Sequence, residues 1–209
     1  MAATKNKPKD LSGEIWVLDF NEESAQDFRE RVLYKSKEQP EEPIVVFIDS
    51  YGGSVDALAK MIETLDETMS PIITVCMGKA MSAGAMLLSH GDVRYCGRHS
   101  RVMIHEVSAG TDGNVHDMYA DTVEIKRLNH YFMGLLAKNC NIPGGYDGLR
   151  KIIKSRDGRD LYLNAEEALK FGLVDNVGLP HMVTVATTQA VTVPAKRRAH
   201  IPKRKNKRG

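Results

Sequence analysis

Apolar residues in this chain fall into short unbroken runs that alternate with longer segments of helical spacing. Ile15–Phe20 is a compact apolar run of strand length. Glu22–Lys37 follows with helix-forming residues, and acids open it, as the positive end of a helix dipole prefers. Pro40 and Pro43 break the chain before Ile44–Ile48, a β-branched and nearly all-apolar run. That pattern predicts a strand covered on both faces. Tyr51-Gly52-Gly53 makes a turn, after which Val55, Leu58, Ile62, Leu65 and Met69 recur at helical spacing. Beyond Pro71 the alternation restarts: Ile72–Cys76 predicts a buried strand, Gly78 a turn, and Ser82–Ser89 a helix rich in small residues. Arg101–His105 reads as a further strand. The longest periodic segment runs from Val115 to about Lys138, with Met118, Thr122, Ile125, Leu128, Phe132 and Leu135 on one face. After Pro143-Gly144-Gly145 come a short helix around Leu149–Lys154, a brief strand at Asp160–Leu163, and a helix at Ala165–Phe171 closed by Gly172.

Strands alternate with helices throughout, so the predicted class is α/β with a largely parallel sheet. Helical crossovers bring loops to the carboxyl ends of parallel strands, where sites tend to form. The glycine turn after Ile48 and the small-residue turn after Cys76 both fall at such ends.

Composition changes this picture at the two termini. Residues 1–13, with lysines, a proline and a glycine, read as a flexible arm, and residues 14–190 as the folded domain. From Lys196 to Gly209 there are eight Lys or Arg and no acid. Without those eight, 21 basic residues face 27 acidic ones, so the formal charge of +2 hides a body of −6. Residues 191–209 are predicted to be a disordered basic tail. Its two readings are solubilisation and binding to nucleic acid or an acidic protein. No segment has signal-peptide character or membrane-span length, and the three cysteines form no C-x-x-C pair. The expectation is a cytoplasmic protein with buried thiols, no metal and no membrane association.

Candidate chemistry starts at Gly78-Lys79-Ala80-Met81-Ser82-Ala83-Gly84-Ala85. A serine at a helix start is ordinarily an N-cap. The small neighbours give it a second reading, as a nucleophile that a bulky carbonyl substrate can approach. In that reading the Ala83 N–H stabilises an oxyanion. Ser50-Tyr51-Gly52-Gly53 can supply another donor, because glycine lets a backbone N–H face a ligand with no Cβ in the way. His105 ends an apolar strand; it is either a structural residue or a general base whose Nδ1–H is held by a carboxylate. Asp160 and Asp157 are the candidates for that carboxylate, and spacing does not decide between them. A G-x-S-x-G elbow is absent, since Ala80 stands where its first glycine belongs.

From about Ile15 to Val177 the chain resembles the proteolytic subunit of the Clp protease. The resemblance rests on four ordered motifs. Ser50-Tyr51-Gly52-Gly53 is similar to the oxyanion loop, with Tyr51 in place of the usual proline, and the block around Ser82 is similar to that of the family nucleophile. Ser100-Arg101-Val102-Met103-Ile104-His105 is similar to the histidine block, and Arg159-Asp160-Leu161-Tyr162-Leu163-Asn164-Ala165-Glu166-Glu167-Ala168 to the aspartate block.

The resemblance implies a ClpP/crotonase-like spiral ββα fold with a long protruding handle helix near Val115–Lys138. It implies a serine endopeptidase acting on unfolded or extended polypeptides. The catalytic residues are then Ser82, His105 and Asp160, the oxyanion donors are Gly53 and Ala83, and no cofactor is required. It also implies a homo-oligomer of heptameric rings that stack. Only about 14 residues precede the first strand, where family members carry an axial loop, so a Clp-type ATPase is not expected to dock in the usual way. The competing readings are an ATPase-independent phage prohead or scaffold maturation protease, a non-catalytic ring subunit, and a crotonase-type acyl-CoA enzyme.

Overall fold

A computed structural model describes residues 10–110, 112–155 and 160–180. The basic tail, Asp157 and most of the N-terminal arm lie outside the described residues. Seven strands and six helices are present among those described. They are β1 (Ile15–Val17), α1 (Glu22–Glu38), β2 (Ile44–Ser50), α2 (Val55–Glu67), β3 (Ile72–Met81), α3 (Ala83–Leu88) and β4 (Val93–Cys96), followed by β5 (Arg101–His105), α4 (Val115–Asn139), α5 (Gly145–Ser155), β6 (Asp160–Asn164), α6 (Ala165–Phe171) and β7 (Asn176–Val177).

The main path of the sheet is β1-β2-β3-β4-β7, with every pairing parallel. Along the edge away from β2, β3 is long enough to serve two neighbours. Its first half pairs with β4, and its last three residues pair with β5. β5 in turn pairs antiparallel with β6. This branching carries β5 and β6 past the carboxyl end of the main sheet, where the parallel class places a site.

Local chemistry accounts for the element ends. Asn21 and Ser24 form a reciprocal capping box at α1, and Asn164 with Glu167 does the same at α6. Gly172 closes α6 in the left-handed conformation (φ 80°), as expected from its position. β4 is tied down by Arg94, which grips the Asp175 carboxylate with two nitrogens and also donates to the Asn139 carbonyl. The three thiols are buried. Burial pushes the Cys140 thiol up to about 12, and a hydrogen bond with Cys96, together with burial, pushes Cys76 upward. These cysteines pack as small hydrophobes.

Three expectations change. Gly78 does not end β3: the strand runs on to Met81, and Gly78 sits inside it at φ 103°. Among the described residues the Ile44–Ile48 run is also not fully covered on both sides. Ile44, Val46 and Ile48 are buried against the helices, while Val45 and Phe47 on the opposite face are half-buried. On that open face Trp16 stacks on Phe47 with ring centroids 4.9 Å apart, and Trp16 remains 39% exposed. The apolar stripe of α4 is split likewise: Phe132, Met133 and Leu136 join the core, whereas Val115, Met118, Tyr119 and Val123 are exposed.

Candidate active site

β3 ends at Met81, and Ser82 makes the join to α3 with φ 54° and ψ −118°. A residue with a Cβ pays roughly 1–3 kcal/mol to hold such a conformation. Capping does not account for it, because the Ser82 side chain makes no cap hydrogen bond to α3. Its backbone N–H is instead donated to the Met103 carbonyl at 2.8 Å, which fixes Ser82 beside β5. Sharp backbone and idle hydroxyl together leave Oγ at the mouth of a cleft.

Register supplies the next two residues. Met81 pairs with Met103, so His105 lies two residues further along the neighbouring strand. On the other side of β5, His105 stands directly opposite Asp160. Cβ atoms of directly opposed antiparallel residues are about 4.5–5.5 Å apart. Val102, Ile104, Leu161 and Leu163 point into the core, leaving Met103, His105, Asp160 and Tyr162 on the outer face. A cavity of about 260 Å³ is lined by Ser82 and His105, and a second of about 660 Å³ by His105 and Asp160. His105 thus borders both the cavity lined by Ser82 and the cavity lined by Asp160. Among the described residues none of the three side chains is hydrogen-bonded to another.

Gly53 and Ala83 line the first cavity beside Ser82. Of the amides at the glycine turn, Gly52 donates to Ser50 Oγ and Ser54 to the Phe20 carbonyl, and Gly53 lies between them. Ala83 opens α3, so its N–H has no acceptor within the helix. The turn is packed so closely that a Cβ on Gly52 would lie 2.8 Å from the Met81 carbonyl oxygen and from Ser82 Cβ. The floor of this cavity is apolar, made by Val55, Leu58, Met86 and Phe132.

Sequence reasoning missed the group that holds the chain after His105. Asn129 on α4 accepts the Val107 N–H at 2.9 Å and donates to Glu106 and to the Tyr146 hydroxyl. Arg150 on α5 approaches Glu106 with Nε to Oε1 at 2.9 Å, at an angle that makes this an ion pair rather than a hydrogen bond. These partners come from two helices, α4 and α5, and no sequence spacing announces them.

A serine at a strained strand-to-helix join, a histidine lining its cavity and an aspartate opposite that histidine are the residue types that acyl transfer uses. No described helix is long and apolar enough to cross a membrane. A family model described as Clp protease matches residues 15–181. That span takes in the glycine turn, Ser82, His105 and Asp160, and covers most of the 209 residues. The chain belongs to the Clp protease family, with its mixed α/β fold and its peptidase activity.

Proposed function

We propose that the chain is a serine endopeptidase in which Ser82, His105 and Asp160 act as nucleophile, general base and orienting carboxylate. One observation carries the reading: His105 lines both the cavity that holds Ser82 and the cavity that holds Asp160. Ser82 Oγ attacks the scissile carbonyl while His105 takes its proton, and the oxyanion is received by the Gly53 and Ala83 N–H groups. His105 then protonates the leaving amine, and the acyl ester is hydrolysed by water activated at the same imidazole. A rotation of the His105 side chain closes the hydrogen bonds once substrate fills the cleft, since such contacts commonly tighten only in the complex. The apolar floor favours an apolar side chain next to the cleaved bond. The route needs neither metal nor organic cofactor.

Treating the purified protein with a fluorophosphonate probe and mapping the labelled peptide tests this. Label on Ser82 is expected. An unlabelled Ser82 in the assembled protein would favour the non-catalytic ring subunit instead.

The open sheet face supports an oligomer. Parallel sheets are normally covered on both sides, and the Trp16–Phe47 stack lies on a side that the described residues leave partly open. A second copy covering it fits the ring assemblies common in the family. Sedimentation of Phe47→Glu should show smaller particles than the parent chain; an unchanged assembly would remove this face from the interface.

A further inference from the structure

The glycine turn beside Ser82 has an anchor that the catalytic reading does not use. Between the pairs Ile48–Cys76 and Ser50–Ala80, β3 carries Met77, Gly78 and Lys79 opposite the single residue Asp49. The bulge re-aims the end of β3, as such insertions do. Gly78 is required there, because a Cβ on it would meet the Asp49 carboxyl atoms at 2.8–3.2 Å. From the bulge Lys79 reaches across and bonds Asp49 Oδ1 through Nζ at 2.7 Å. The same ammonium lies 4.4 Å from the ring centroid of Tyr51, within cation–π range. Its side chain is only 20% exposed, which limits screening by solvent.

Tyr51 is the first residue of the turn and lines the cavity with Ser82 and Gly53. Gly52 and Gly53 follow at φ 100° and 153°, conformations open chiefly to glycine, whose backbone is the least restricted of any residue. A turn of this kind holds an amide in place only if something outside it does the holding. We infer that Lys79, set on Asp49 and capped by the Tyr51 ring, is a positioning residue that latches the Tyr51–Gly53 turn to the strand leading into Ser82. The latch fixes the spacing between the Gly53 N–H and the Ser82 hydroxyl. Lys79 touches no reacting atom. The inference rests on the oxyanion role proposed for Gly53.

The test uses the full-length assembled protein and a short fluorogenic peptide with an apolar residue before the cleaved bond. Lys79→Met keeps the stem and removes the charge; Tyr51→Leu removes the ring. Each is expected to lower kcat by about tenfold to a hundredfold with KM within about threefold, as for a misplaced oxyanion donor. The double variant should be no worse than the poorer single one, because the two side chains act as one unit. Lys79→Arg should recover most of the loss. A kcat for Lys79→Met within about twofold of the parent, or losses that multiply in the double variant, would overturn the latch. Hydrogen exchange at the Gly52 amide, which donates to Ser50 Oγ, gives a readout independent of catalysis. Lys79→Met should speed it by about tenfold or more if the turn is released, and unchanged exchange would also overturn the latch. If the parent chain proves inactive on every peptide, the peptidase reading fails, while exchange still decides whether Lys79 holds the turn.

Discussion

Ser82→Ala is expected to reduce peptide hydrolysis by roughly four to six orders of magnitude while leaving the fold and the assembly intact. The size follows from the unit character of a nucleophile and its base: with the hydroxyl gone, His105 has no proton to take, and only oxyanion binding remains to assist water. The stability forecast is equally definite. Serine and alanine both carry a Cβ, so the strain of φ 54° is the same for either. The Ser82 side chain makes no cap bond that alanine would lose. The change in stability should therefore stay within about 0.5 kcal/mol. Steady-state assays with thermal unfolding of the same preparation check both halves. Activity within tenfold of the parent would remove Ser82 from the mechanism.

Asp160→Asn should lower kcat by about a thousandfold to ten-thousandfold with little change in KM. In the pairing of β5 with β6, Asp160 is the residue directly opposite His105. In the proposed mechanism a carboxylate there accepts from Nδ1–H and leaves Nε2 free to receive the serine proton. An amide of the same shape can donate to Nδ1 and hold the wrong tautomer. Asp160 is exposed, so its loss should cost little stability. The split between kcat and KM is the diagnostic reading. A rise in KM with kcat unchanged would mean that Asp160 binds substrate and does not orient the base.

Much of the fold was legible because it is written in runs and spacings. Arg101–His105 and Ala165–Phe171 were placed to the residue, and the long helix to within one. β4 escaped because Arg94 interrupts a four-residue stretch; that strand exists by virtue of its register on β3 and the Arg94–Asp175 grip, both tertiary. Gly78 misled for a physical reason. Positive φ usually marks a turn, and here it serves a bulge that lets the strand continue past Asp49. The Ile44–Ile48 run, too, is apolar on both faces although the described residues fully cover only one.

The site divides in the same way. Ser82, His105 and Asp160 stand at element ends that local pattern marks, so each could be singled out. Their convergence is a matter of strand order, and strand order is not local. Composition and spacing left Asp157 and Asp160 equivalent; the structure describes Asp160 opposite His105 and says nothing of Asp157. Asp49, Lys79, Asn129 and Arg150 carried no signal at all, because each matters through a partner 22 to 44 positions away.

The half-covered sheet has a consequence for how such a molecule behaves when scarce. Where a second copy covers the Trp16–Phe47 side, as proposed above, that burial links association to folding thermodynamically. Dilution then weakens the whole molecule as well as the contact between copies. Protein abundance alone would act as a brake on proteolysis, with no inhibitor required.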